Sequence, residues 1–394
     1  MREASELGNF VGTRRIMKLN TIKSAIEDIR QGKIIIVVDD EDRENEGDFI
    51  IAARSVTPEI INFMATHGRG LICAPLIEAR CDELGLEMMV QSNNAAYETP
   101  FTVSVDLIGH GCTTGISASD RAKTVHALIN PDTRPEELGK PGHIFPLRAR
   151  KGGVLRRAGH TEAAIDFARL AGFEPAGVIV EIMNEDGSMA RLPELMEIAT
   201  KFDLKIVSIR DLISFRLENE TLIEREMDID LPTKYGHFKL VAYRQTTNGV
   251  EHLALVKGSW TPEENVPVRV HSSSMIGDIF GSERFGKGEQ LHKAMEMIEK
   301  EGKGVVVYIN KFRKGHELLD ELVAHNSEPT QAANGAPSMR MDFKDIGIGA
   351  QILRDLGVKN ISLLTNNPKS RLGEIGFGLN IKEHVRIDIR ELQS

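Results

Sequence analysis

Cysteine is scarce in this chain: only Cys73, Cys81 and Cys112 occur among 394 residues. Their spacing matches neither a zinc ribbon nor a disulfide framework, so a reducing cytoplasm is the simplest setting. No apolar run approaches the roughly 18 residues that a membrane-spanning helix needs. The densest stretch is Ile34 to Val38. Arg14-Arg15 is followed by Lys18, Asn20 and Thr21 instead of an unbroken apolar segment, which argues against an export signal. A soluble protein with no membrane partner is expected. Positive charge is also in deficit, with 49 Lys and Arg against 58 Asp and Glu for a formal net charge of -9. Nucleic-acid backbones are held by clustered cations, so no nucleic-acid partner is expected. An anionic substrate needs local positive charge or a metal.

Charged residues at 27% and hydrophobic residues at 41% are ordinary soluble usage, which excludes a mainly disordered or fibrous chain. The length suits more than one core. The expected class is α/β, in two domains that are each a mixed β-sheet flanked by helices. Residues 1–16 lack periodicity and read as a mobile extension. A first domain spans 17–216, an acidic linker 217–236 and a second domain 237–394. In the first, Thr21 caps a helix that ends at Gly32, and buried strands follow at Lys33 to Val38 and Phe49 to Ala53. Further helices are expected at Pro58 to Thr66, at Ala118 to Ile129, from Thr161 and near Pro193 to Phe202. Strands are expected at Gly70 to Cys73, Phe101 to Asp106 and Gly177 to Ile182. The Gly- and Pro-rich stretch from Asn130 to Gly159 reads as a long loop, the kind that is usually functional or disordered. Strands open the second domain, at Phe238 to Tyr243, His252 to Val256 and Val266 to His271, before helix and strand alternate.

Asp39-Asp40-Glu41-Asp42-Arg43-Glu44-Asn45-Glu46-Gly47-Asp48 carries seven carboxylates in ten residues between two strands. A calcium loop between helices fails, because alignment puts Ala53 where a bidentate Glu is required. Two readings remain. One is a solvated charge run; the other is a divalent-cation site, since crowded carboxylates repel unless something positive sits among them.

Arg156-Arg157-Ala158-Gly159-His160-Thr161-Glu162 opens a helix, where free backbone N–H groups, an Arg and a hydroxyl suit a phosphate. His160 reads as a ligand, or else as a helix cap or an exposed histidine. Gly142 to Arg148 supplies His143. Glu181 ends an apolar strand, either facing water or held with a raised pKa for proton transfer.

DDEDRENEGD at 39–48, THGRGLIC at 66–73, TTGISASDR at 113–121, GHIFPLRA at 142–149, RAGHTEA at 157–163 and PAGVIVEIMNEDGSMAR at 175–191 together resemble the 3,4-dihydroxy-2-butanone 4-phosphate synthases of riboflavin biosynthesis. The resemblance implies a metal-dependent lyase that converts ribulose 5-phosphate to 3,4-dihydroxy-2-butanone 4-phosphate and formate. By carry-over, Glu44 and His160 hold magnesium or manganese. Arg43, Glu44, Asp48, Thr113, Arg157, Thr161 and Glu181 meet the sugar phosphate, and His143, Glu181 and Asp48 move protons. It further implies a homodimer with the active site near the subunit interface.

VRVHSSSMIGDIFGSERFGKGEQL at 268–291 and DIGIGAQILRDLGVKNISLLTNNPK at 345–369 resemble GTP cyclohydrolase II, but the chemistry of that family is missing. Its three zinc cysteines fall on Ser274, Phe285 and Lys287, and no cysteine follows Cys112. Its arginine nucleophile falls on Lys344 beside Asp342, its Glu-Gly-Arg near Phe312-Arg313-Lys314, and its lysine pair on Lys369 and Ser370. No zinc and no GTP hydrolysis are expected of this domain.

Overall fold

A computed structural model describes residues 19–41, 43–95, 97–282, 287–311, 343–366 and 379–388. The extension at 1–16 lies outside them, as do Asp42, Phe285, Phe312 to Lys314, Asp342, Lys369 and Ser370. The chain divides into two compact units: one runs to Ala149 and resumes over Gly159–Asp211, and the other takes Arg150–Ala158 and the chain from Leu212.

The first unit runs α1 (Ile22–Arg30), β1 (Ile35–Val38), β2 (Gly47–Ala52), α2 (Pro58–His67), β3 (Cys73–Ile77), α3 (Glu78–Glu83), β4 (Val105–Leu107), α4 (Ala118–Ile129), β5 (Leu138–Ala149), α5 (His160–Leu170), β6 (Gly177–Glu181), α6 (Leu192–Phe202) and β7 (Lys205–Ser208), with α7 (Ile209–Asn219) spanning the division. Local chemistry sets the helix starts. Thr21, Thr57 and Ser117 each accept a backbone N–H from the first turn of the helix they precede. The sheet order is β4-β5-β3-β6-β2-β1-β7. Strands β1 and β7 are parallel, as are β3 and β5, while β2 runs antiparallel to both β1 and β6.

Helices cover both faces, so β1 and β2 are buried along their whole length and read as apolar runs. Ile36, Phe49, Ile51, Val178 and Val180 pack with Ile61, Met64, Val125 and Leu195 from α2, α4 and α6. On the other face α5 runs beneath the central strands, its Ala163, Ala164 and Phe167 buried.

Two expectations are corrected. The loop expected over 130–159 contains β5, a twelve-residue strand paired with β4 and, in parallel, with β3. Its glycines and prolines hide it from a period count, yet Leu138, Ile144, Leu147 and Ala149 are buried. Gly142 is there for space: a Cβ would lie 2.0 Å from the Val105 carbonyl carbon. The acidic linker expected at 217–236 begins in α7 and then forms the edge strand β8 (Ile223–Thr233), paired antiparallel to β9 (Gly236–Gln245). Arg244 of β9 pairs with Glu226 at 3.1 Å while Lys239 pairs with Asp228.

The second unit continues with β10 (Glu251–Lys257), β11 (Asn265–Ser272), α8 (Lys287–Glu301), β12 (Gly304–Ile309), α9 (Phe343–Asp355), β13 (Asn360–Leu364) and β14 (Asn380–Val385). Its mixed sheet has the order β14-β13-β11-β12-β10-β9-β8. Leu291, Ala294 and Ile298 of α8 pack on Phe238, Leu255 and Val306. Both units are thus mixed sheets flanked by helices, as the sequence led one to expect. Among the described residues, no helix is long and apolar enough to cross a membrane.

Candidate active site

Strand register gathers the acidic groups at one end of the first sheet. Val38 closes β1 opposite Gly47, and Asp48 at the start of β2 lies opposite Glu181 at the end of β6. Between β1 and β2 the acidic segment folds back on Asp39. The Asp39 carboxylate accepts the backbone N–H groups of Glu44 at 3.1 Å and Glu46 at 2.8 Å, and Arg43 Nη1 at 2.8 Å. Arg43 Nη1 also donates to Glu44 Oε2 at 2.6 Å. The described residues of the charge run are therefore tied together through Asp39.

Helix α5 delivers His160 to this group. His160 is buried, and its Nε2 lies 3.1 Å from the Val37 carbonyl. A carbonyl can only accept, so Nε2 carries the proton and Nδ1 is the atom that looks toward the carboxylates. Nδ1 lies 3.9 Å from Glu44 Oε2 and 3.8 Å from Asp48 Oδ1. One ligand atom each from Asp39, Glu44 and His160 fall within 4.8 Å of one another. A backbone carbonyl that accepts the proton of the far ring nitrogen is a usual way for a metal-binding histidine to be oriented.

Asp48 supplies an independent sign that a positive group belongs here. Its Oδ1 is buried without a hydrogen-bond partner. Burial, followed by the charges of Glu181, Glu44, Glu46 and Asp39, pushes its carboxyl well above the usual range. Burial and Glu44 push Glu46 the same way. Glu181 is better satisfied, its Oε2 accepting Leu71 N–H at 2.8 Å, and Gly70 beside it has no room for a Cβ, which would fall 2.4 Å from that oxygen. The donor set, the orphaned oxygen and the surplus of negative charge all fit a hard divalent cation.

His143 belongs to a second group. It is 43% exposed on β5, with Nδ1 2.6 Å from Asp106 Oδ2 and its backbone N–H donating to Asp106 Oδ1 at 2.8 Å. The loop before α4 closes over that carboxylate: a Cβ on Gly115 would sit 2.1 Å from Asp106 Oδ2. Thr113 in this loop is held by Asp120, which accepts its hydroxyl at 2.9 Å and its N–H at 3.0 Å. Thr161 is buried in the first turn of α5. Arg157 lies just upstream on the segment that groups with the second unit, its N–H donating to Gly153 O at 3.1 Å.

The structure thus brings Arg43, Glu44, Asp48, Glu181 and His160 to one sheet end and sets His143 against Asp106, with Thr113 held on Asp120 in the loop before α4. Sequence reasoning missed Asp39 and Asp106 as site residues. Asp39 opens the acidic run, and its place at a strand end was a usable signal; Asp106 is exposed as a partner only by the β4–β5 pairing.

In the second unit, Ser274 stands where the resemblance led one to expect a zinc cysteine. Its hydroxyl accepts Gly277 N–H at 3.0 Å and caps the turn Met275–Ile279. His271 Nε2 and Tyr308 OH meet Asp278 at 2.9 and 2.8 Å. Lys287 and Lys344 open α8 and α9.

Fold and site define an α/β unit with a carboxylate–imidazole centre, followed by a second α/β unit. Family models for 3,4-dihydroxy-2-butanone 4-phosphate synthase and GTP cyclohydrolase II match residues 23–215 and 224–386. The chain belongs to the 3,4-dihydroxy-2-butanone 4-phosphate synthase family of riboflavin biosynthesis and carries a GTP cyclohydrolase II domain behind the synthase. It is 62% identical to the riboflavin biosynthesis protein RibBA of Cytophaga hutchinsonii over 95% of this chain and 93% of that one. It is 53% identical to RibBA of Aquifex aeolicus over 95% and 94%. A solved structure, RibBX, a two-domain 3,4-dihydroxy-2-butanone 4-phosphate synthase from A. baumannii, is 40% identical with a TM-score of 0.74, covering 94% of this chain and 100% of that one.

Proposed function

We propose that the first unit is a metal-dependent lyase that converts ribulose 5-phosphate to 3,4-dihydroxy-2-butanone 4-phosphate and formate, with Glu44 and His160 holding magnesium or manganese. One observation carries the reading: His160 Nδ1 faces both Glu44 Oε2 and Asp48 Oδ1 at under 4 Å while Nε2 is spent on Val37. A bound cation supplies charge stabilisation to the oxygens of an enolising ketose. The chain's own residues do the rest. Asp48, whose proton affinity is raised by burial and then by the charge of Glu181, and Glu181, oriented by the Leu71 N–H, move protons of the bound sugar. Arg43, Thr113, Arg157 and Thr161 hold the anionic sugar phosphate. His143 Nε2 acts as a base, with its Nδ1 proton on Asp106.

A homodimer fits this division of labour. β3 and β6 separate β5 from β2, three strand spacings or about 14 Å between the His143 and Asp48 backbones. His143 and Asp48 thus stand apart on one sheet, and in this reading the second copy of a homodimer brings its own His143 to the acidic end. Ile108 and Ile116, which flank the loop over Asp106, are 56% and 53% exposed, an apolar surface suited to such a contact. A cytoplasmic setting accords with three free cysteines, two of them buried.

The second unit, in this reading, binds no zinc and does not hydrolyse GTP. Ser274 serves as a turn cap, and Phe offers no ligand at 285. The RibBA names of the relatives favour a bifunctional reading, whereas RibBX of A. baumannii is described as a two-domain synthase. The test is formate release from ribulose 5-phosphate and, separately, from GTP, with and without cation. Release from the sugar phosphate that survives exhaustive chelation, or full activity in Glu44→Gln or His160→Ala folded as the parent, refutes the metal site.

A further inference from the structure

Tyr97 stands in the connection between α3 and β4, where every described residue from Glu87 to Glu98 is exposed. The segment is nevertheless tied to itself. Asn93 Nδ2 donates to Thr99 O and Asn93 Oδ1 accepts Ala95 N–H, both at 3.0 Å, and Glu98 N–H donates to Ala95 O at 3.0 Å. This compact turn presents Tyr97 to the acidic loop, 54 residues away in sequence, where its hydroxyl donates to the Arg43 carbonyl at 2.7 Å. The Arg43 guanidinium carbon lies 5.1 Å from the centre of the Tyr97 ring.

Both contacts act on Glu44. The Arg43 carbonyl and the Glu44 N–H belong to one peptide group. Tyr97 binds its oxygen while Asp39 Oδ2 accepts its N–H at 3.1 Å, so this peptide is clamped on both sides. Through its side chain, Arg43 donates to the Asp39 and Glu44 carboxylates at 2.8 and 2.6 Å. Ring and hydroxyl of one tyrosine therefore fix the main chain into Glu44 and the guanidinium that orients its carboxylate. We infer that Tyr97 is a positioning residue of the cation site, setting the affinity of Glu44 and His160 for the divalent ion and the aim of Arg43 at the substrate.

The inference rests on the proposed metal role of Glu44, and the test separates the two. Binding of Mn2+ to the full-length protein without substrate is followed by the paramagnetic resonance of the free ion, beside the KM and kcat for ribulose 5-phosphate. Tyr97→Phe keeps the ring and loses the hydroxyl; Tyr97→Ala loses both. Affinity for Mn2+ falls about threefold in Tyr97→Phe and about tenfold or more in Tyr97→Ala. KM rises in the same order, kcat at saturating ion and substrate stays within about twofold, and the melting midpoint in EDTA is unchanged. A tyrosine that only supports the fold moves the midpoint and leaves ion affinity alone. Parental Mn2+ affinity in Tyr97→Ala overturns the inference while the metal reading stands. Parental Mn2+ affinity in Glu44→Gln overturns the metal reading and the inference with it.

Discussion

Burial and four neighbouring carboxylates push the Asp48 proton affinity upward together, and Oδ1 has no partner to offset them. A carboxyl with a higher pKa folded than unfolded stabilises the fold at low pH, below the unfolded value near 4, and that contribution is lost as pH rises through the folded value. At neutral pH in EDTA, Asp48 therefore works against the fold. Asp48→Asn is expected to raise the melting midpoint there by about 3 °C or more while abolishing formate release. The gain shrinks as pH falls toward 4, because the parent then carries a neutral carboxyl too; a midpoint lowered at pH 7 counts against the electrostatic account. The Asp106 pair leads to another prediction. Asparagine offers one acceptor and one donor where aspartate offers two acceptors. If the amide oxygen keeps the His143 N–H, the amide nitrogen faces Nδ1 and forces the ring proton onto Nε2. Asp106→Asn should then lower kcat by roughly 10² or more with little change in KM. Steady-state formate release compared with His143→Ala decides it: a fully active asparagine variant beside an inactive alanine variant removes Asp106 from the mechanism.

At the scale of elements, β5 carries His143 and also shows where sequence reading stops. Gly142 lies so close to β4 that a Cβ would meet Val105 C at 2.0 Å and Asp106 N at 2.3 Å, both backbone atoms that cannot step aside. Gly142→Ala should therefore part the two strands at the His143–Asp106 pair, destabilising the unit by about 3 kcal/mol or more in urea titration and removing activity; unchanged stability would mean that the strand pairing is looser than described. Helix α4, by contrast, was legible residue for residue from Ala118 to Ile129, because a serine cap precedes a periodic apolar stripe and Asn130 follows. Strand β5 was not, since Gly139, Pro141, Gly142 and Pro146 lower every local preference and only pairing with β3 and β4 makes it a strand. Strand β8 escaped for a related reason: it is an exposed edge strand whose pairing shifts register between Arg225 and Met227, so its acids follow no single face and a charge count sees only an acidic linker. Within the site, the acidic loop and the glycine before α5 were plain in the motifs. Asp106 and Tyr97 act through contacts 37 and 54 residues away, which no local pattern encodes.

For the whole molecule, the question is what the second unit does if, as proposed, it lacks the zinc chemistry of GTP cyclohydrolase II. All three cysteines precede residue 150, so a three-thiolate zinc site cannot form within the second unit alone. Among the described residues, the surroundings of Ser274 are held by hydrogen bonds. Asp278 is held by His271, Tyr308 and the Ser274 N–H, and its carboxyl stays below the usual range despite burial because of the His271 hydrogen bond and charge. Ser274, neutral and capping a turn, has a structural task that a thiolate would not improve. Returning one cysteine is therefore expected to do nothing: Ser274→Cys leaves Phe285 and Lys287 at the other two ligand positions, and a lysine ammonium repels the ion. Protein purified after growth with added zinc should hold far less than one zinc per chain by elemental analysis, in the parent and in Ser274→Cys alike. Formate should appear from ribulose 5-phosphate with magnesium and not from GTP under any metal. Stoichiometric zinc together with formate from GTP would show that a different ligand set has replaced the thiolates, and the second unit would have to be read as an enzyme.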